Sequence, residues 1–375
     1  MILTCHVCSA ETFTVDPNGG GDFTSIQDAI NYAYDFDTIV VYPGLYEEHV
    51  NYYGRLVTLT STDPNDANIV ESTVIDGSGE GSVVMYHNAE GEYASIQGFT
   101  VQNGAIGINC IGADTAPLIS KCRVVSNNLG ISCSLSRPTI VSATISDNNT
   151  NGIEACRGAI LSCVVENNGH AGIAVSHGTI SDTIIRANGH AGIYCHGGTI
   201  TNCIISGNMA HGIFQQLFKG NYFIYSCTIV GNKGCGIYST WAETNTRKEM
   251  INNIIAMNWE LGLKQEGGWG TQLRHCNIWG NRGGDIYDSH GTVAGRVETI
   301  SENPYFARGG FWDQDIVWHE GDYHLRSKAG RWDIRKQDWA SDPVDSPCLD
   351  RGDPSVSTGD EPLPNGGIIN MGAYG

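Results

Sequence analysis

The 375-residue sequence predicts an all-β fold, a single-stranded parallel β-helix (a solenoid) that begins with a short N-terminal capping helix. The first observation is a twenty-residue repeat: ILSCVVENNGHAGIAV starts at Ile160, ISDTIIRANGHAGIYC at Ile180 and ITNCIISGNMAHGIFQ at Ile200. A fixed period in this range is typical of solenoids, in which each repeat buries its apolar face only against its neighbours. Within each repeat, apolar residues alternate in short β-branched runs that Asn and Gly interrupt, which indicates strands and turns rather than helices.

The second observation is that one residue type recurs at one position of successive repeats. An Asn column suits a turn, because Asn tolerates turn conformations and can hydrogen-bond the Asn of the next coil, about 4.8 Å away. A second column holds small or sulfur-bearing residues and a third holds Ile or Leu, so both are predicted to face the core. The columns are Asn103, Asn127, Asn148, Asn168, Asn188, Asn208, Asn232, Asn258 and Asn281; Cys122, Ala143, Cys163, Thr183, Cys203, Cys227, Asn253 and Cys276; and Ile108, Ile131, Ile153, Ile173, Ile193, Ile213, Ile237 and Leu263.

The third observation concerns the start of the chain. Apolar residues with the i, i+3, i+4, i+7 spacing of one helix face run from Ile26 to Ala33, behind an N-cap at Thr24 or Ser25. A buried strand is predicted to follow from Thr38. A helix at this place would close the core of the first coil, which would otherwise be open to water.

These segments resemble a known family. GGGDFTSIQDAINYA…DTIVVYPGLYEE resembles the N-terminal cap of pectate-lyase-like, right-handed parallel β-helix proteins, and the repeat I-x-x-C-x-I-x-x-N-x-x-x-G-I is similar to their coils. The tail, ENPYF…GDYHL…DSPCLDRGDP…PLPNGGIINMGAYG, resembles the closing coils of bacterial secreted β-helix repeat proteins. The resemblance covers nearly the whole chain. It implies a right-handed solenoid and a secreted, polysaccharide-related setting, but no single reaction.

The predicted organisation is one β-helix domain over residues 11–375. It comprises an N-terminal cap (11–55), regular coils (about 95–287) and C-terminal closing coils with a cap (296–375). Residues 1–10 resemble the remnant of a secretory leader, so we expect a secreted or cell-surface protein. Its thirteen cysteines fall mostly in inward columns and are expected to be buried free thiols. The lone pair Cys5 and Cys8 has no second pair with which to hold zinc.

The distribution of charge limits the classes of partner that the protein can bind. The net charge is −19, and residues 1–120 include one basic residue and sixteen acidic residues. An acidic chain argues against nucleic acid as a partner, and no apolar run is long enough for a membrane span. The later coils are nearly neutral, with twenty basic and twenty-four acidic residues, so they can still present a local basic site to an acidic polysaccharide. We expect a monomer.

Three late coils carry insertions, 215–222, 240–249 and 265–272, each before a strand. The resemblance implies that substrate lies across the sheet that these strands enter. Alternation predicts Ile224, Ile251 and Leu273 inside. It therefore predicts an outward ladder of Tyr225, Asn252 and Arg274. Trp241 and Trp269 lie in the insertions, and aromatic rings beside polar groups suit the apolar face of a sugar. The predicted substrate-binding residues are Asn252, Trp241, Trp269 and Arg247.

The leading hypothesis is a polysaccharide lyase that acts on a uronic acid. Arg274 would pair with the substrate carboxylate. Lys248, Lys264 or His275 would be the base that removes the acidified proton, and Tyr225 would protonate the leaving oxygen.

Other classes remain open at this point. A hydrolase needs two carboxylates that flank a groove, and the nearby Glu and Asp residues single out no pair. The motifs of polygalacturonases, alginate epimerases, pectate lyases and pectin methylesterases are missing, which favours a non-catalytic surface, adhesion or structural protein. A metal site at His170, His190 and Glu166 is a weaker alternative. No cofactor is required by the sequence, although Ca²⁺ is a candidate.

Overall fold

A parallel β-helix is what the repeats form. The computed structural model describes residues 10–175, 177–216, 220–240, 247–267, 270–291, 293–359, 361 and 365–374. The chain divides into two compact units, residues 1–148 and 149–375. In each unit short strands stack into three parallel sheets, which we call A, B and C in the order in which each coil passes through them. The fold is a right-handed parallel β-helix, as predicted.

The first unit begins with the capping helix α1, Ile26–Tyr32. Ser25 is its N-cap, because the Ser25 hydroxyl accepts from the Asp28 N–H at 3.2 Å, and the apolar face of α1 is buried. A second helix, α2, spans Ala67–Ser72 behind the N-cap Asp66 and was not predicted. The strands are Thr12–Val15, Thr38–Val41, Thr58–Ser61, Ser95–Gln97, Leu118–Ser120 and Thr139–Val141 in sheet A; Gly44–Tyr46, Thr73–Asp76, Thr100–Gln102, Arg123–Val125 and Thr144–Ser146 in sheet B; and Val50–Asn51, Ser82–Tyr86, Ile106–Ile111 and Leu129–Ser134 in sheet C.

The second unit contains the regular repeats and the C-terminal region. Its strands are Ala159–Leu161, Thr179–Ser181, Gly198–Thr201, Tyr222–Tyr225, Lys248–Ile251, Thr271–Arg274 and Val293–Val297 in sheet A; Val164–Glu166, Ile184–Arg186, Ile204–Ser206, Thr228–Val230, Ile254–Ala256 and Asn277–Trp279 in sheet B; and Ile153–Cys156, Ile173–Val175, Ile193–Cys195, Ile213–Gln215, Ile237–Ser239, Leu261–Gln265 and Gly284–Asp288 in sheet C. Three antiparallel pairs follow: Phe306–Arg308 with Asp322–Leu325, Phe311–Trp312 with Trp318–His319, and Arg331–Asp333 with Asp338–Ala340.

The predicted Asn column is a hydrogen-bonded ladder. Asn188 is fully buried, and its Nδ2 donates to Val165 O at 3.1 Å and to Asn208 Oδ1 at 3.0 Å. Its Oδ1 accepts from the backbone N–H of Asn168 at 3.1 Å and from Asn168 Nδ2 at 3.0 Å. Each Asn therefore satisfies the turn of its own coil and of the coils beside it. Because buried polar groups are costly when unpaired, the ladder holds the coils in one register.

The predicted cysteine column is also inward. All eleven cysteines in the described part of the chain are buried, and none of them forms a disulfide bond with another. Cys203 Sγ donates to Thr201 O at 3.1 Å, and Thr183, which occupies the same column one coil earlier, donates from its hydroxyl to Ser181 O at 2.7 Å. At these two positions the column therefore holds a small side chain that returns a hydrogen bond to its own turn.

The C-terminal region packs along the outer face of sheet B in the second unit. Ile204, Val230 and Ile254 form the sheet's side of this contact, and Phe306, Tyr323, Leu325, Cys348, Met371 and Ala373 form the other side. Gly207 lies in a turn with a left-handed φ of +57°, and a Cβ there would lie 2.1 Å from the Trp318 ring, so this turn requires glycine. Neither helix in the described residues has the length and apolarity that a membrane span requires.

Candidate functional site

Two residues of the predicted site, Tyr225 and Arg274, lie on the outer face of sheet A in the second unit, with one correction of register. Tyr225 pairs with Ile251, and Ile251 pairs with Arg274, so these three residues occupy one outward column. The inward column beside it is Ile224, Met250 and Leu273, all fully buried. The prediction that Ile251 faces inward was therefore wrong by one residue, and Asn252 does not belong to the outward ladder.

Asn252 serves the C-terminal region instead of a ligand. Its φ of 61° places it in a turn, and it is buried. Its Oδ1 accepts from the Asp353 N–H at 2.7 Å, and its carbonyl accepts from the Gly372 N–H at 2.6 Å. The predicted substrate-binding role of Asn252 is wrong, because its side chain is already engaged inside the protein.

Five residues form a connected group on this face, which we call the sheet A patch: Phe223, Tyr225, Arg247, Glu249 and Arg274. Glu249 lies at its centre. The Tyr225 hydroxyl donates to Glu249 Oε2 at 2.9 Å, and Arg247 donates through Nε and Nη2 to Glu249 Oε1 at 2.8 and 2.6 Å. The rings of Phe223 and Tyr225 are stacked, with centroids 5.8 Å apart. The patch thus combines an aromatic pair with two guanidinium groups.

Burial and charge separate the protonation states of the patch. Burial, together with the hydrogen bond to Glu249, raises the pKa of Tyr225 to about 12. Burial opposes ionisation of Glu249, but hydrogen bonds from Tyr225 and Arg247 and the charges of both arginines still lower its pKa. At neutral pH, Tyr225 therefore keeps its proton and Glu249 is a carboxylate.

Arg274 is shared between the patch and the C-terminal region. Its Nη1 lies 3.1 Å from Asp353 Oδ2, and its side chain keeps 36% exposure while that of Asp353 has 5%. A hydrogen bond from Ser355 and the charges of Arg274 and His275 lower the pKa of Asp353. His275 follows Arg274 in a turn, with Nδ1 3.3 Å from Arg351 O. Arg274 and His275 therefore lie side by side at the edge of the patch.

Lys248 does not face the patch. It shares an inward register with Tyr222 and Thr271 and is fully buried, with Nζ donating to Ser239 Oγ at 2.9 Å. Burial lowers the pKa of Lys248 to about 8. The prediction of Lys248 as a base at the groove was wrong, because strand alternation gives residue 248 the same orientation as the core residue Met250.

Lys264 lies on a different face. It belongs to sheet C, before the third insertion, and its Nζ is 2.9 Å from Glu266 Oε1 and 4.4 Å from the centre of the Tyr238 ring. The prediction of Lys264 as a base in the sheet A groove was therefore wrong as well. Of the three predicted bases, His275 is the one beside the patch. Trp241 and Trp269 lie outside the described residues.

The predicted metal alternative is not assembled. His170 and His190 are exposed neighbours whose ring centres are 5.9 Å apart. Glu166 lies on sheet B, where its Oε2 accepts from Arg186 Nε at 2.6 Å. Ca²⁺ also fits the sheet A patch poorly, since Glu249 and Asp353 are each ion-paired with an arginine and Ca²⁺ requires several free oxygen ligands.

Sequence reasoning counted Glu249 among the carboxylates near the groove without singling it out as the centre of the patch, and it missed Asp353 as the partner of Arg274. Alternation from Met250 would have placed Glu249 on the outer face with Ile251. Asp353 has no comparable signal, because it lies 79 positions after Arg274 in the chain, outside the repeats.

Comparisons with known proteins agree with the fold. A family model described as a right-handed β-helix region matches residues 175–298. The crystal structure of the pectate lyase Pel9A is 14% identical and has a TM-score of 0.59, covering 98% of this chain and 96% of that chain. The A-module of the Azotobacter vinelandii mannuronan C-5 epimerase AlgE4 is 16% identical and has a TM-score of 0.54, covering 74% and 90%. No curated protein matches the sequence. The chain therefore shares the right-handed parallel β-helix fold of these structures.

Proposed function

We propose that this protein binds an acidic, uronate-containing polysaccharide outside the cell, across the sheet A patch. The observation that carries the proposal is that the guanidinium groups of Arg247 and Arg274 and the stacked rings of Phe223 and Tyr225 belong to one patch on neighbouring coils. Guanidinium groups bind carboxylates with paired hydrogen bonds, and aromatic rings suit the apolar face of a sugar. The two structural neighbours, a pectate lyase and a mannuronan epimerase, are named for polyuronates.

Arg247 is the group best placed to receive a substrate carboxylate. Its side chain is 67% exposed, and its Nε and Nη2 donate to Glu249, which fixes the guanidinium group. A guanidinium has five N–H donors, and Glu249 engages Nε and Nη2, so this exposed side chain keeps donors for a ligand. Arg274, with a partly exposed side chain, lies in the next coil. Coils repeat at about 4.8 Å, so the patch can contact successive parts of one extended glycan.

The test is binding of oligogalacturonate and of oligomannuronate, measured by calorimetry against a neutral glucan of equal length. Arg247→Ala should weaken uronate binding by about tenfold or more, since a hydrogen bond to a charged group contributes about 1.5–3 kcal/mol. Arg123→Ala is the matched control, because Arg123 is a partly exposed arginine that, like Arg247, pairs with a glutamate, Glu71 at 3.3 Å. Unchanged binding by Arg247→Ala, or equal binding of the neutral glucan, would overturn the proposal.

A second candidate function is β-elimination on the bound uronate, and the protonated hydroxyl of Tyr225 favours it. In this reaction His275 would take the proton from C5, the C–H electrons would form the C4–C5 double bond, and the C4–O bond would break. Tyr225 would then give its proton to the leaving oxygen. The substrate carboxylate would be neutralised by Arg274 or Arg247.

One incubation with polyuronate distinguishes a lyase, a hydrolase and a non-catalytic protein. Elimination yields an unsaturated product that absorbs in the ultraviolet, and hydrolysis yields reducing ends without that absorbance. A non-catalytic adhesion or structural protein yields neither. For the lyase, Tyr225→Phe should lower turnover by about 100-fold or more, with binding retained. A variant that turns over at the wild-type rate would remove Tyr225 from the mechanism.

A further inference from the structure

A second group of chemically reactive side chains lies on three successive coils of the second unit, away from sheet A. His211, Cys235 and Glu260 each offer one ligand atom, and these atoms all lie within 4.8 Å of one another. The group is the result of a change in one column. Gly192 N–H donates to His211 O, and Gly212 N–H donates to Cys235 O, in the same way as Gly172 N–H donates to the carbonyl of a small residue, Ala191.

The column therefore changes from alanine to metal-binding residues at His211. Ala171 and Ala191 are buried at this position in the two preceding coils. Alanine is sufficient for the turn, so packing does not require His and Cys here. Glu260 enters from one position earlier in the third coil, where its N–H donates to Gly234 O at 3.1 Å.

The distances suit a small tetrahedral ion. Cys235 Sγ lies 3.3 Å from Glu260 Oε2, and tetrahedral Zn²⁺ with ordinary bond lengths places its sulfur and oxygen ligands about 3.5 Å apart. His211 Nδ1 accepts from the Cys235 N–H at 2.9 Å. This bond leaves the proton of a neutral ring on Nε2 and directs the Nδ1 lone pair toward the coil of the thiol. A bound ion would replace this single hydrogen bond.

Protonation is consistent with the exchange of a proton for a metal ion. Burial raises the pKa of the Cys235 thiol to about 12, and the thiol donates to Glu260. Burial also lowers the pKa of His211, so the ring is neutral and has a lone pair. Metal binding to such groups releases the thiol proton. The nearby cation Lys264 is held by Glu266 at 2.9 Å.

Aromatic neighbours hold the histidine in place. The His211 ring lies 5.5 Å from the Phe214 ring and 5.1 Å from the Tyr238 ring, centre to centre. Both rings belong to the outer face of sheet C, in strands that pair in register. Restricting a ligand in this way lowers the entropic cost of binding.

We propose that His211, Cys235 and Glu260 form a mononuclear site for Zn²⁺ or a similar divalent transition metal, with the fourth position open to solvent or to a further ligand. Imidazole and thiolate ligands favour this class of ion over Ca²⁺ and Mg²⁺. The proposal is independent of polysaccharide binding at the sheet A patch.

The test is a titration of the chelator-treated full chain with Co²⁺ alone, followed by absorbance. We expect one equivalent to produce the visible bands of a four-coordinate ion and a near-ultraviolet thiolate-to-cobalt band, and Zn²⁺ to displace both. Cys235→Ser should abolish the thiolate band. Loss of a group that merely supports a ligand costs about 10- to 100-fold in affinity, so Glu260→Gln should weaken Co²⁺ binding by about tenfold or more.

Two control variants make the result specific. Cys203→Ser changes a buried thiol in another column, and His190→Gln changes an exposed imidazole one coil earlier, so both should keep the wild-type spectrum. Glu260 is exposed, and its substitution leaves the coil intact even if Cys235→Ser does not fold. No one-equivalent spectrum in the wild type, a thiolate band that persists in Cys235→Ser, or unweakened binding by Glu260→Gln would overturn the proposal.

Discussion

The short coils of residues 160–214 and the chain with insertions that follows them, from residue 215, differ at one interior corner. This corner lies where the chain passes from sheet C to sheet A. In the short coils it is lined by Val175 and Cys195, which are buried and apolar. In the same register the later coils carry Gln215, Ser239 and Gln265, which are equally buried. The interior thus becomes polar where the loops lengthen.

The polar corner is hydrogen-bonded rather than stacked. Lys248 Nζ donates to Ser239 Oγ at 2.9 Å, and Ser239 Oγ donates to Gln215 Oε1 at 2.5 Å. In the next coil, Thr271 Oγ1 donates to Gln265 Oε1 at 3.1 Å. The Asn ladder, by contrast, is the same in both regions. The ladder therefore sets the register of every coil, while the corner varies with the loops that begin there.

The largest predicted effect tests whether the ladder is common to both regions. Asn208→Ala in the short coils and Asn258→Ala in the later coils should each lower the free energy of unfolding by about 3–5 kcal/mol, since several buried backbone groups lose their partners. Both side chains bond the next Asn of the ladder, at 2.9 Å in each case. Urea unfolding measures the two losses.

The exposed Asn149→Ala is the matched control and should change stability by less than about 0.5 kcal/mol. If Asn208→Ala and Asn258→Ala differed by more than a factor of two, the ladder would not act equally in the two regions.

The second prediction concerns the buried amine of the polar corner. The pKa of Lys248 is lowered from 10.5 to about 8 in the folded protein. Between these values the unfolded chain binds the proton and the folded chain does not, so stability should rise with pH from about 8 to about 10.5. The total gain should be on the order of 3 kcal/mol. Lys248→Met should remove this rise and be more stable than the wild type at neutral pH.

Lys336→Met removes an exposed lysine, whose side chain is 69% exposed, and should keep the wild-type pH dependence. Urea unfolding at several pH values compares the three proteins. A parallel rise in Lys248→Met and the wild type would mean that Lys248 is not the group that titrates.

The smallest predicted effect tests the interior of the short coils. Cys203→Ser should lower the free energy of unfolding by less than about 1 kcal/mol, because a hydroxyl at this position can donate to Thr201 O as Thr183 does to Ser181 O. A loss above about 2 kcal/mol would show that the cysteine column depends on the volume or softness of sulfur rather than on a small donor.

The repeated columns explain why the fold was predictable and the site only in part. Asn253 aligns with Cys227 and Cys276, and counting back three residues from each gives Ile224, Met250 and Leu273. The column therefore contained the correct register. Ile251 directly follows Met250 and is equally apolar, so the prediction that it faces inward shifted the strand by one residue. A shift of one residue reverses the face of every side chain. The same one-residue shift placed Lys248 on the outer face in the prediction, although it is buried.

The remaining differences depend on contacts that no repeat encodes. Asp353 and Gly372 reach Asn252 from the C-terminal region across more than a hundred residues of chain, and such pairing leaves no periodic pattern. The change from Ala191 to His211 and Cys235 within one column was visible in the sequence. The pair His170 and His190 has the more regular spacing of twenty residues, and it therefore gives the stronger histidine pattern in the sequence.

A crystal structure of the protein with a uronate oligosaccharide tests the central claim most directly. We expect a sugar carboxylate within hydrogen-bonding distance of Arg247 and a sugar ring in contact with Phe223 or Tyr225 on the outer face of sheet A. An oligosaccharide bound elsewhere, with the sheet A patch empty at saturating ligand, would contradict it.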